Sequence, residues 1–548
     1  MIYRAILLFL LMQGKKLFTQ KLFYQISLDD LVPTNHFYRR LDDILDLQFL
    51  YEATRKYYGT DGQKSLDPVV FFKICLIGYL ENVISDRKLI DLCSDSLAIR
   101  LFLGFDLDEQ LPWHSTISRT RQLYEASLFE SVFRKILSQC VDSGLVAGHT
   151  QAVDSAFVKA NASMDSLELK VPQQDLDEHL RKVRHISLMD KEAPHRKAKN
   201  NKATTDQQTL KASDSKLKDI QTRQNKWAKD QDQRPGAKNK GSKYTSNHTH
   251  YSPTDPDAKI AVKPGKARKL NYYAQMAVDT DHQIITQIQA DLADKKDNQY
   301  LQSLVQNTLD NLQGQGLLIE HILADAGYSS GENYAWLEQQ KLKSYIPPHG
   351  TYKGGPEGFI YQEAGNYWIC PNDKKVTFRN QRIEKNTLKN FYRTTTSDCA
   401  HCTLKSVCLS KSQKSKQISI TAYRAEYERN IERLKSDKRH KAKRMSTVEP
   451  VFGTLINFLG LQKVNTLGQA QAHKCMLMAA TAFNLKKLLK YARKPIKIRA
   501  SHLVIPIIKR KTEINYYSAI IDFITSLLRP SNSRFKWIHY KMTLLKTT

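Results

Sequence analysis

Residues 317–340 read LLIEHILADAGYSSGENYAWLEQQ. A short apolar run ends at Asp325, a Gly-Ser loop follows, and the remainder has helical composition, so the stretch predicts strand, loop, helix. Working upstream, Lys269–Asp294, KLNYYAQMAVDTDHQIITQIQADLAD, predicts two strands around the turn Asp279-Thr-Asp-His282. Earlier still, His149–Ser163, HTQAVDSAFVKANAS, carries β-type residues around Asp154 and predicts a first strand. Downstream, LKSYIPP (342–348) is a further short strand. Ser446–Gly460, STVEPVFGTLINFLG, places Val448, Val451, Phe452, Leu455, Ile456 and Leu459 on one helical face. The order is strand, insertion, two strands, helix, strand, helix, strand, insertion, helix. That alternation predicts an α/β core interrupted at least twice.

Three carboxylates mark this core. Asp154 lies in the first strand, Asp325 ends a later one, and Glu449 stands at the predicted start of the last helix. Each has an ordinary explanation. An Asp at a strand end often caps the next loop. Ser446 and Glu449 have the spacing of a capping box, with Pro450 in a first turn where a missing N–H costs least. Taken jointly they point elsewhere, because strand ends and helix starts of an open α/β sheet converge on one crevice. Acidic groups gathered there repel unless cations lie between them, and oxygen-only ligands suit Mg²⁺ or Mn²⁺. Two such ions about 4 Å apart can drive in-line displacement at a phosphodiester. No Walker-type phosphate loop is present, so a nucleotide-driven motor is not indicated.

The charge balance agrees with a polyanionic partner. The 548 residues contain 84 Lys and Arg against 55 Asp and Glu, a formal net charge of +29. Residues 191–270 alone hold 20 Lys/Arg and 8 Asp/Glu, with few apolar residues. The apolar run Ala5–Met12 is far shorter than the roughly 20 residues of a membrane span, so no membrane partner is expected. Met12 is the expected start of translation, with the preceding residues set aside.

Before the core, residues 12–148 read as several short helices with Ser and Asp starts, a helix-turn-helix-like bundle. The segment Trp113–Arg121, WHSTISRTR, offers Ser115, Arg119 and Arg121 near a helix start, as a groove-reading helix or a plain surface helix would. Four of the eight cysteines are scattered and four cluster: Cys370, Cys399, Cys402 and Cys408. This pattern fits a reducing cytoplasm and a closed four-thiolate zinc site better than a secreted disulfide scaffold; unliganded thiols are the alternative.

The segments AVDSAFVKANAS, ILADAGYSS and VEPVFGTL resemble the three catalytic segments of bacterial insertion-sequence transposases of the DDE type. GQKSLDPVVFFKICLIGYL, SDRKL, HSTISRTR, the stretch SNHTHYSPTDPDAKIAVKPGKARKLNYYAQMAVD and the cysteine segment resemble one branch of them. The resemblance covers roughly residues 12–490. It implies an RNase H-like α/β catalytic core with insertions, preceded by an all-α, helix-turn-helix-like domain. The corresponding boundaries are 12–148 for the helical domain, 149–164 and 253–350 for the core, and 165–252 for a basic insertion. Residues 351–420 form the cysteine insertion, 421–493 the last part of the core, and 494–548 a basic tail.

By the same resemblance Asp154, Asp325 and Glu449 are the metal-binding triad. The implied activity is nicking at the element's ends and strand transfer into target DNA. The implied partners are terminal inverted repeats, target DNA and further copies of the chain at the nucleoid. The family's arginine and lysine around the Glu are replaced here by Met445 and Ile456, so Arg444 and Lys463 are the nearby residues expected to meet phosphates. A DNA-binding relative that has lost turnover is the competing expectation.

Overall fold

The computed structural model describes residues 26–59, 65–169, 246–247, 250–262, 267–350, 352, 354–384 and 387–492. The apolar run before Met12, most of the basic insertion and the tail after Lys494 lie outside them.

Eight helices open the described chain: α1 (Leu28–Leu31), α2 (Phe37–Asp42), α3 (Phe49–Thr54), α4 (Pro68–Leu80), α5 (Asp86–Asp95), α6 (Leu97–Leu103), α7 (His114–Leu123) and α8 (Ala126–Asp142). Local chemistry sets their ends. The Asp67 carboxylate accepts the Val69 and Val70 N–H groups at 2.7 and 3.1 Å, and Pro68 occupies the first turn of α4. Helix α6 stops at Gly104, whose φ of +77° closes a left-handed cap. α4 is apolar on nearly every side because it is surrounded: Phe71, Phe72, Ile74, Leu76 and Ile77 are all fully buried.

The strands follow: β1 (Thr150–Lys159), β2 (Glu168–Leu169), β3 (His250–Tyr251), β4 (Lys259–Ala261), β5 (Lys269–Asp279), β6 (Ile285–Leu292), β7 (His321–Leu323) and β8 (Lys343–Tyr345). The main sheet runs β6-β5-β1-β7-β8, with β4 joining the first residues of β5. β5 is antiparallel to both β1 and β6, whereas β1, β7 and β8 are mutually parallel. Three antiparallel strands extended by two parallel ones is the order expected of an RNase H-like core. Helix α9 (Leu301–Gln313) follows β6, and α10 (Gly331–Gln339) links β7 to β8.

A second sheet lies between β8 and the remaining helices. Its order is β13-β12-β11-β10-β9, all antiparallel: β9 (Ile360–Gln362), β10 (Tyr367–Ile369), β11 (Lys375–Glu384), β12 (Thr387–Arg393) and β13 (Gln417–Thr421). Two short helices, α11 (Thr396–Ala400) and α12 (Lys405–Cys408), carry cysteines between β12 and β13. The module has a core of its own, Trp368, Val376, Tyr392 and Ile418. So small a core is a reason to expect a staple.

The chain ends its described part with α13 (Arg424–Ser436), α14 (His440–Phe458) and α15 (Gln469–Ala492). α15 packs on α8, α4 and β6, so the N-terminal helices and the main sheet share one apolar core. No helix among the described residues is long and apolar enough to cross a membrane.

α14 corrects one local expectation. The helix starts at His440, so Ser446 and Glu449 lie inside it and form no capping box. Pro450 is an interior proline that cannot donate to the Ser446 carbonyl one turn back. The Gln283 side-chain amide donates to that carbonyl instead, at 2.9 Å. Burial of Val448, Val451, Phe452 and Leu455 offsets the lost helix bond, and the predicted apolar stripe is therefore real.

Candidate active site

Register brings two of the three expected carboxylates together. β1 and β7 pair from Thr150↔His321 to Ala152↔Leu323. Two residues further along each chain stand Asp154 and Asp325. β7 has ended there, so Asp325 turns out of the sheet and caps a single turn, Ala326–Tyr328, accepting the Gly327 N–H at 2.9 Å. The strand stops where its carboxylate is needed to satisfy that amide.

Asp154 is mostly buried. Burial pushes its carboxyl pKa up to about 6; the Ser155 N–H (2.8 Å) and the Arg444 guanidinium (3.0 Å) oppose the shift, and the nearby Asp325 charge adds to it. Side-chain exposure is 14 % for Arg444 and 20 % for Asp154, so this ion pair is shielded from water. Arg444 reaches Asp154 from α14, across the face on which that helix packs.

Strand alternation sends Ser155 to the opposite face. Its hydroxyl donates to Asp297 at 2.7 Å, and the Gln275 amide, its partner across β5, donates to the same oxygen at 3.3 Å. Asp297 opens the single turn before α9. The buried Tyr328 hydroxyl donates to Gln275 at 2.5 Å. Its pKa is raised well above the ordinary phenol value by burial, with Asp297, Asp154 and Asp325 each adding to the effect. Gly327 is the hinge of this arrangement. A Cβ there would lie 3.0 Å from Asp325 Oδ1 and 3.3 Å from Asp297 Oδ2, tight enough to press on both carboxylates. Asp297 was not singled out from the sequence. Its only signal there was an Asp at a helix start beyond a strand, which reads as a cap.

Glu449 stands apart from this group. It is exposed on α14, and no hydrogen bond or ion pair among the described residues joins it to Asp154 or Asp325. No three Asp, Glu, His or Cys side chains among the described residues are arranged closely enough to hold a metal ion. The chemistry of the donor set nevertheless fits a hard divalent cation. Asp154 and Asp325 supply oxygen donors, their mutual repulsion contributes to the Asp154 shift, and Asp154 already accepts a cationic partner.

The other expected residues fall into three groups. Arg121 is buried at 7 % exposure, and its guanidinium donates twice to Asp86, at 2.7 and 2.9 Å. It fastens α7 to α5 and is not on the surface, which corrects its expected place at DNA. Arg119 is exposed on α7, Ser115 is half-buried, and Trp113 just before the helix is 69 % exposed. Lys463 lines a small pocket with Arg121 and Asp86, and its backbone bridges to Lys159 at the end of β1. The segment 435–444, ahead of and within α14, has six Lys/Arg and one Asp, most of them exposed.

Cys370, Cys399, Cys402 and Cys408 are free thiols lining one small cavity. The Lys374 N–H donates to Cys370 Sγ at 3.4 Å, and the Thr394 hydroxyl lies 3.0 Å from Cys399 Sγ. Lys405 and Lys416 line the same space. As placed, the four thiols do not close into a metal-binding group; their residue types, with N–H and cationic neighbours, are those of a thiolate site. His401 is exposed and does not line the cavity.

Two family models match the chain. A transposase domain (DUF772) matches residues 26–123, the helical region. A transposase DDE domain matches residues 369–489, which include the four cysteines, Arg444, Glu449 and most of α15. No curated protein matches the chain.

Proposed function

Since the chain is an insertion-sequence transposase of the DDE type, we propose that it cuts the ends of its element and joins them to target DNA at a site built around Asp154 and Asp325. The observation that carries this reading is the adjacency of these two carboxylates at the end of β7, beside the cationic Arg444.

Asp154 and Asp325 would hold Mg²⁺ or Mn²⁺, and a divalent ion bound there would supply charge stabilisation for phosphoryl transfer. The chain's own residues do the rest. Ser155 N–H fixes one Asp154 oxygen and Gly327 N–H fixes one Asp325 oxygen, so each carboxylate keeps its remaining lone pairs oriented. Arg444, once released from Asp154, is placed to meet a phosphate. In the nicking step the oxygen of water bonds to phosphorus, the 3′-oxygen leaves and takes up a proton. In the transfer step that 3′-hydroxyl attacks target DNA, and one phosphodiester replaces another without an external energy source. Glu449, exposed on α14, would be the third carboxylate of the set.

The cysteine cavity would hold a structural zinc ion, tying the end of β10 to α11 and α12. Metal analysis of the purified chain should return one zinc per protein, and Cys399→Ser/Cys402→Ser should lose it. A zinc content below a tenth of that would leave the four thiols unliganded.

The deciding experiment is cleavage of duplexes carrying the gene's own flanking ends, with Mg²⁺ or Mn²⁺ and binding followed in parallel. Wild type is compared with Asp154→Asn, Asp325→Asn and Glu449→Gln. Metal-dependent cutting that all three variants abolish, with binding retained, supports the reading. Binding without cutting by wild type would mean a DNA-binding relative that has lost turnover, for which the exposed position of Glu449 would be the structural reason.

A further inference from the structure

The cysteine module turns outward a sheet face on which most of the described residues are exposed. Its charge is one-sided: residues 374–416 contain eleven Lys/Arg and two Asp/Glu. Register assigns the faces. Val376 is buried in the module's core, so by alternation Lys375 and Thr377 look outward. Thr377 pairs with Arg393, and after a bulge Asn380 pairs with Phe391 and Arg382 with Lys389. The bulge returns the outer part of β11 to the same face. Gln417 and Ser419 complete it from β13, opposite Arg393 and Phe391.

Lys375, Asn380, Arg382, Arg393, Gln417 and Ser419 are all exposed. The Arg382 guanidinium lies 4.1 Å over the Phe391 ring, which restrains it and covers the ring, leaving Phe391 buried. On this face Lys389 is ion-paired with Glu384 at 3.0 Å, and Lys375 lies 5.0 Å over the Tyr367 ring. A cationic face whose two aromatic rings, Tyr367 and Phe391, lie under Lys375 and Arg382 suits a charged polymer backbone better than stacked bases.

We propose that this outward face, centred on Lys375, Arg382 and Arg393, is a phosphate-binding surface that holds duplex DNA. It is separate from the carboxylate site and lies on a different sheet. The transposase reading supplies only the identity of the DNA; the surface itself follows from charge and register. Phosphate contacts position a duplex without reading its sequence. The module therefore contributes affinity and orientation, and discrimination between sequences belongs elsewhere in the chain.

The test is binding of the full-length protein to a duplex of the element's end and to an unrelated duplex, by fluorescence anisotropy over a range of salt. Lys375→Gln/Arg382→Gln removes two cations from the face. Lys411→Gln/Lys414→Gln removes two exposed cations of the same module outside its sheet, with the same change in net charge. The face variant should weaken binding to both duplexes equally and make the log–log salt dependence shallower by about 1.8, at about 0.9 per lost phosphate contact. The control variant should leave both unchanged.

Equal losses in the two variants would overturn the proposal, because net charge and not the face would then be responsible. A wild-type salt slope in the face variant would also overturn it. So would a wild-type dimer that the face variant splits, since this face would then be covered by a second copy. Nicking by wild type, measured in the same preparation, reports separately on the transposase reading. A chain that never nicks but loses DNA with the face variant would keep this surface and lose that reading.

Discussion

Arg444 on α14 donates to Asp154 on β1 across 3.0 Å, with both side chains largely shielded from solvent. The ion pair places a protein cation on the carboxylate proposed to hold a catalytic metal. It also ties the helix that carries Glu449 to the strand that carries Asp154.

Arg444→Gln should therefore act in opposite directions on stability and on metal binding. Without metal, removing one partner of a shielded ion pair leaves the other uncompensated and should cost about 3 kcal/mol. With the internal competitor gone, Mn²⁺ should bind more tightly, and saturating Mn²⁺ should recover much of the lost stability. Urea denaturation with and without Mn²⁺, together with Mn²⁺ titration followed by electron paramagnetic resonance, measures both. Weaker Mn²⁺ binding in the variant would show that Arg444 supports the metal site and does not compete with it.

The raised Asp154 pKa predicts a pH window. Between the ordinary Asp value of about 3.9 and about 6, the folded protein keeps a proton that the unfolded chain has released. This group's contribution to stability is thus fully present below about pH 4 and falls as pH rises to about 6. Metal binding runs the other way, because the metal needs the ionised carboxylate. Mn²⁺ affinity should drop about tenfold per pH unit below about pH 6 and level off above it. Titrations from pH 5 to 7.5 check this, and a flat profile would mean that Asp154 is not a ligand.

Asp297→Asn retains an oxygen for the Ser155 hydroxyl but removes the charge beside Asp325. Mn²⁺ affinity should fall about tenfold, the lower end for a residue that supports a metal site. Gly327→Ala should do the same by a different route, because its Cβ would press on Asp325 Oδ1 and Asp297 Oδ2 together. Isothermal calorimetry on the two variants decides the matter. Wild-type affinity in both would remove Asp297 from the site.

Arg121 and Arg119, two residues apart on α7, should separate cleanly. Arg121→Ala breaks the buried double hydrogen bond to Asp86 and should cost about 3–5 kcal/mol in chemical denaturation. Arg119→Ala, on the exposed side, should leave stability within about 0.5 kcal/mol and weaken DNA binding. A stable Arg121→Ala protein with reduced DNA binding would return Arg121 to the DNA surface.

Much of this protein was legible in the chain alone. Strand alternation and apolar runs marked β1, β5, β6, β7 and β8 in order, because a central strand buried on both faces has to be apolar over most of its length. The stripe from Val448 to Leu455 announced α14 for the same reason. Asp154 and Asp325 could be singled out because each ends or interrupts such a run with a charge. What the chain could not reveal was whose side chain meets whose. Arg119 and Arg121 look alike in sequence, and only the packing of α7 on α5 buries one and exposes the other.

Asp297 carries no pattern in the sequence that singles it out. It enters the carboxylate group because strand pairing puts Ser155 opposite Gln275 and because Gly327 leaves room for its approach. The pairing of Arg444 with Asp154 spans 290 positions and depends on how α14 crosses the sheet. Periodicity is a local property and survives in the sequence. The position of a charge relative to another charge is set by the tertiary fold, which brings distant segments within 3 Å and excludes the water that would otherwise screen them.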